Sequence, residues 1–97
     1  MNVEESVRLL VKTGSYVLGE KEVKALVGRG EAKLVVLSKT KNDELTGLCE
    51  SHSVPVIRLE RTSMELGIVC GKPFPISVIG VVTEGDSEIL SFRSQDA

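Results

Sequence analysis

The chain carries one histidine and two cysteines among 97 residues, and they form no set of three or four at metal-ligand spacing. No metal cluster can be drawn from such a set, and at most one disulfide. There is no GxGxxG, no GxxxxGK followed by Ser or Thr, and no Ser-His-Asp set, so the usual nucleotide cradles and hydrolase triads are excluded. No apolar run approaches the roughly 20 residues of a membrane span. The start, Met1-Asn2-Val3-Glu4-Glu5, has no basic segment leading into an apolar one. A soluble, unprocessed, intracellular protein with no catalytic residues, no metal and no cofactor is expected. Positive charge is also missing: the formal net charge is −2, against the basicity usual for nucleic-acid binders.

What is present is enough for one core. With 41% hydrophobic residues and no linker, residues 1–97 read as a single domain with short flexible ends. Cys49 and Cys70 fall at apolar helical positions and read as buried free thiols, a cystine being credible only in a hyperthermophile. The charge is unevenly spread. Residues 1–41 sum to +3 and residues 42–97 to −5, so any phosphate contact belongs to the first half.

Periodicity orders the elements. Asn2 caps a helix with Glu4 and Glu5 in its first turn and Val3, Val7, Leu10 and Val11 on one stripe, ended by Gly14. Ser15–Leu18 reads as an edge strand. Gly19 starts a helix to about Arg29 with Val23, Leu26 and Val27 inward and Lys21, Lys24 and Gly28 on another face, stopped by Gly30. Leu34–Leu37 is apolar at every position, which requires cover on both faces of a central strand. A polar loop over 38–42 precedes a helix over 43–52 with Leu45, Leu48 and Cys49 inward. Residues 54–59 form a strand that Pro55 assigns to an edge. Ser63, with Glu60 and Glu65 near, suggests a capped short helix to Cys70, closed by Gly71. Residues 76–82 form the last long strand, with a short addition at 89–92 after the Gly85-Asp86 turn. The alternation predicts an α/β fold, a three-layer α/β/α sandwich around a mixed, roughly four-stranded sheet.

A crossover helix runs antiparallel to the strand it feeds, so the start of the 19–29 helix shares a sheet edge with the end of Leu34–Leu37. Gly19, Lys21, Lys39, Thr40 and Lys41 then gather from separate stretches of chain. Backbone N–H groups at a helix start favour phosphate. An antiparallel last strand would bring Lys72-Pro73-Phe74-Pro75-Ile76 to the same edge, an apolar wall beside a basic floor that suits irregular RNA with splayed bases. Each residue has a plainer reading. The lysines suit a solvated face, Glu22 a helix-start charge, Phe74 a core residue pinning its loop, and His52 a dipole partner at a helix end.

Three segments, GEKEVKALVGRGEAKLVVL from Gly19, TSMELGIVCGKP from Thr62, and EGDSEIL from Glu84, resemble the L-thirty-e family of archaeal and eukaryotic large-subunit ribosomal proteins. That family is a branch of the wider L-seven-Ae family, which binds kink-turn RNA. The resemblance runs from about Val7 to Leu90. It implies a structural role in the large subunit: a cytoplasmic protein, monomeric when isolated, whose partners are ribosomal RNA and neighbouring large-subunit proteins. It implies RNA-binding residues Gly19, Glu20, Lys21, Lys24, Lys39, Thr40, Lys41, Phe74 and Ile76. By the resemblance, Gly19 and Lys21 read the tandem G·A region, the 39–41 loop touches the backbone, and Phe74 and Ile76 pack on an extruded base. The Asn-Glu pair and later lysine of the L-seven-Ae branch are replaced by Lys21, Glu22 and Ala25, and Pro75 stands where some relatives are basic. Three alternatives are a kink-turn protein of a small ribonucleoprotein, a nucleotide-binding α/β enzyme, and a protein-interaction module using the acidic second half.

Overall fold

The structure, a computed structural model, describes residues 3–39 and 43–91. Nine elements follow one another: α1 (Val3–Thr13), β1 (Ser15–Leu18), α2 (Glu20–Gly28), β2 (Leu34–Leu37), α3 (Asp43–Ser51), β3 (Val56–Arg58), α4 (Ser63–Val69), β4 (Val78–Thr83) and a 3-10 turn at Ile89–Ser91. The sheet has four strands in the order β1-β4-β2-β3. β4 pairs antiparallel with both β1 and β2, while β2 and β3 are parallel, so the sheet is mixed as expected.

Strand periodicity divides the core. Leu34 and Val36 join Ile79 and Val81 on one face, under α1 and α4 with Val7, Leu10 and Leu66. Val35, Leu37 and Val78 point the other way, under α2 and α3 with Val23, Val27, Leu45 and Cys49. The unbroken apolar run of β2 is therefore two alternating half-cores, which makes the three layers. Cys49 and Cys70 are both buried and free, and they belong to opposite layers, so the sheet separates them. Burial pushes the Cys49 thiol up to about 11.

Four boundaries differ from the sequence reading. β4 begins at Val78 rather than Ile76, because the Ile76 N–H donates to the Ser63 carbonyl (2.9 Å) instead of to a sheet neighbour. β3 is confined to Val56–Arg58: Pro55 has no N–H for the ladder, and the Val54 N–H turns back to the Cys49 carbonyl at 2.8 Å. The cap of α4 is Thr62, not Ser63. Its hydroxyl accepts from the Glu65 N–H (3.2 Å) while the Glu65 carboxylate accepts from the Thr62 N–H (2.9 Å), a reciprocal box that satisfies two orphan donors. Beyond Gly85 the chain forms a 3-10 turn, not sheet. Ser87 fixes it by donating its hydroxyl to the Ser6 carbonyl (2.5 Å) and accepting from the Ile89 N–H (3.1 Å). Asn2 and Phe92 lie outside the described residues.

Candidate nucleic-acid interface

Three separate stretches of chain meet where β1 and β2 end and β4 begins. Gly19 donates its N–H to the Val78 carbonyl (3.4 Å), and Ser38 donates to the Ser77 carbonyl (2.9 Å). Because β3 runs parallel to β2, the loop after β3 reaches this edge too, and the Lys39 N–H donates to the Arg61 carbonyl at 2.6 Å. The sequence reading brought together the first two stretches and the 72–76 loop but missed the 59–62 loop. The parallel pairing that delivers it is a long-range property.

Gly19 is the hinge of this edge. Its φ of 97° lies in the region that only glycine enters without strain, and it caps α2 with no side-chain hydrogen bond. The first intrahelical bond is Val23 N–H to the Gly19 carbonyl at 3.0 Å, so the N–H groups of the first turn lie outside the helical ladder, at the positive end of the helix. A Cβ at position 19 would meet nothing within 4 Å, so glycine is required there by its backbone angle and not by crowding.

Next to the helix start lies a cleft of about 330 Å³ lined by Leu18, Gly19, Glu20, Phe74, Pro75, Ile76 and Ser77. Four of the sequence-predicted site residues, Gly19, Glu20, Phe74 and Ile76, therefore share one cavity. Phe74 is 47% exposed, an unusual state for one of two phenylalanines in the chain. Ile76 is 3% exposed and forms the cleft's buried base. Pro75 of the same loop joins the lining, and Leu18 and Ser77 complete it, two positions that the local sequence pattern did not single out.

The lysines are in different states. Lys21 is exposed and has no ion-pair partner among the described residues. Lys24 is held between Glu44 (2.7 Å) and Glu20 (2.9 Å). Those two carboxylates, Glu44 first, keep its ammonium charged above the ordinary 10.5. Its charge is thus turned toward α3 and partly neutralised. Lys39 is exposed, and it adds the weakest of the pulls that lower the Glu65 carboxyl, behind the hydrogen bonds from Thr62. Thr40 and Lys41 lie outside the described residues.

Elsewhere, a ring N–H at His52 Nδ1 donates to the Leu48 carbonyl (3.1 Å), the end-of-helix role expected of it. Among the described residues no group of three His, Cys, Asp or Glu side chains could hold a metal. No described helix is long and apolar enough to cross a membrane.

Residues 1–91 match the family described as "Ribosomal protein L7Ae/L30e/S12e/Gadd45 family". The large ribosomal subunit protein eL30 of Methanocaldococcus jannaschii is 39% identical over 94 residues, covering 93% of this chain and 86% of its own. That of Sulfolobus acidocaldarius is 36% identical over 93 residues, covering 92% and 89%. A solved structure, that of a protein with unknown function from Bacillus halodurans C, superposes with a TM-score of 0.77 at 29% identity and covers 92% of both chains. The described fold and its β1-β4-β2-β3 sheet are thus those of a chain that belongs to the ribosomal protein L7Ae/L30e/S12e/Gadd45 family.

Proposed function

We propose that this chain is a structural, non-catalytic component of the large ribosomal subunit, in the cytoplasm, and that it binds a kink-turn of ribosomal RNA at the Gly19 edge. The observation that supports it most is the match to large-subunit proteins along nearly the whole chain. The cleft between the α2 start and Phe74 supplies the chemistry such a role needs.

In this reading the first-turn N–H groups after Gly19 and the ammonium of Lys21 take a phosphate or base edge beside the tandem G·A pairs. Charge-assisted hydrogen bonds of this kind are short and strong. The Glu20 carboxylate, an acceptor at the cleft wall, suits base amino groups. Lys39 and the two residues after it follow the sugar-phosphate backbone. Phe74 offers its exposed ring to an extruded base, with Ile76 beneath. Lys24 reaches a phosphate only by leaving Glu20 and Glu44, so it shapes the helix face more than it binds. A regular duplex offers neither a splayed base nor a sharp bend, and a chain of net charge −2 has little non-specific attraction for it.

Titration against a kink-turn RNA and a straight duplex of equal length, at two salt concentrations, tests the proposal. The expected result is a clear preference for the kink-turn, with affinity for both falling as salt rises. Equal affinity for the two RNAs overturns it.

A further inference from the structure

Gly67 sits inside α4, where alanine is the better helix former, and its position is explained by what lies on top of it. A methyl built at Gly67 would overlap the Phe74 carbonyl oxygen outright and stand 3.1 Å from the Phe74 carbonyl carbon and 3.4 Å from Pro75 Cα. The loop over 72–76 therefore lies flush on the bare backbone of the helix. It is pinned there at both ends. Lys72 donates its N–H to the Gly67 carbonyl and Ile76 donates to the Ser63 carbonyl, each at 2.9 Å. Between the pins, Pro73 and Pro75 fix their own φ angles and restrict Lys72 and Phe74, the residues before them. Little backbone freedom is left to the residue that carries the exposed ring.

We infer that α4 is a template that holds the Phe74 loop in its RNA-binding shape before RNA arrives, and that Gly67 is the positioning residue that sets how far the ring stands from the α2 start. This rests on the RNA-binding reading of the cleft and adds the origin of its shape selectivity. A wall set in advance loses little freedom on binding, and it accepts only an RNA whose extruded base meets it at that height. Any side chain at position 67 lifts the Phe74 main chain away from α4, and with it the ring that faces Gly19 across the cleft.

Gly47 provides an internal control. It too lies within a helix, α3, but a methyl there would meet nothing within 4 Å. Wild type, Gly67→Ala, Phe74→Ala, the double variant and Gly47→Ala are titrated with a kink-turn RNA and with the same RNA made abasic at its extruded position. Urea unfolding of each corrects affinity for the folded fraction.

Gly67→Ala is expected to weaken kink-turn binding about tenfold, but less than about twofold when Phe74 is already Ala or the base is missing, because positions in contact are non-additive. Gly47→Ala is expected to leave RNA binding unchanged. An equal loss with and without Phe74, or no loss in folded Gly67→Ala, overturns the inference. Should Gly67→Ala fail to fold, amide order parameters of Lys72, Phe74 and Ile76 in wild type decide. Values near the rigid level of about 0.85 support a preset loop, and values below about 0.6 overturn it. A wild-type chain with no kink-turn preference removes the RNA reading itself, a failure seen before any variant is made.

Discussion

The two ends of the sheet are built on opposite plans. At the Thr83 edge, polar groups are used up internally. The Ser15 N–H donates to the Thr83 hydroxyl (3.2 Å), the Asp86 N–H to the Thr13 hydroxyl (2.9 Å), and the Lys33 N–H to the Val81 carbonyl (2.8 Å). Its charges are paired as well, Lys33 with Glu84 (3.5 Å) and Arg29 with Glu31 (2.8 Å). Ile89 then closes this part of the fold with 0% exposure. The Gly19 edge spends Lys24 and Arg61 on ion pairs but keeps a second set of groups in reserve: helix-start N–H donors outside the helical ladder, an unpaired Lys21 among the described residues, and a half-exposed phenylalanine over a cleft. Both ends use loops of similar residue types, so composition does not separate them. What separates them is whether donors and cations are spent on the fold or left for a ligand.

Ile89→Ala should break this comparison most visibly. Truncating a fully buried isoleucine removes on the order of 3 kcal/mol from folding stability, with the midpoint of urea unfolding dropping accordingly. RNA affinity of the folded fraction should not change, since Ile89 packs with α1 and the opposite layer from α2. A parallel loss of RNA binding by folded protein would show that the two ends are coupled.

Phe74→Ala should do the reverse. Stacking on a base is worth about 1–3 kcal/mol, so kink-turn affinity should fall by that amount. Stability should change little, because the ring is already 47% exposed. Affinity and urea unfolding measured on the same sample check both halves, and a large stability loss with intact affinity would return Phe74 to a purely structural role.

Within the Gly19 edge, the two helix lysines sharpen the contrast. Lys21→Ala should weaken kink-turn binding by about tenfold, equivalent to about 1.4 kcal/mol, and leave the thermal midpoint unchanged. Lys24→Ala should cost less than about threefold in affinity, since its charge is already engaged by Glu44 and Glu20. Equal effects of the two in a fluorescence titration would mean that RNA displaces both carboxylates.

The smallest expected effect is a pH dependence at the Thr83 edge. The Glu84 carboxyl sits below its ordinary 4.5, held first by its own backbone N–H and then by attraction to Lys33. A carboxyl whose folded value is depressed contributes stability above the unfolded value and loses it as pH falls through the folded one. Glu84→Gln should therefore narrow the stability difference between pH 7 and pH 3 and leave the alkaline side unaltered. Urea midpoints across that range check the sign, and an unchanged acid limb would count Glu84 out.

Local chemistry in the sequence determined a good deal of this protein. Helical apolar spacing, capping residues and short apolar runs located the four helices and four strands of the described residues, and a strand apolar at every position announced cover on both sides. Glycine at position 19 marked the open start of α2, and Pro55 marked β3 as an edge. These features are legible because each depends on residues within a turn or two of one another. Boundaries failed where a distant carbonyl claimed a donor, as that of Ser63 does with the Ile76 N–H and that of Ser6 does with the Ser87 hydroxyl. Only the tertiary structure decided that Lys24 is bound by two carboxylates while Lys21 is left outward, since Glu44 comes from another helix. Only it decided that Phe74 stands half in solvent, because the loop's height is set by a bare glycine in α4. Pairings and close approaches between residues far apart in the chain carry no periodic signal, and the shape of the candidate site is made of them.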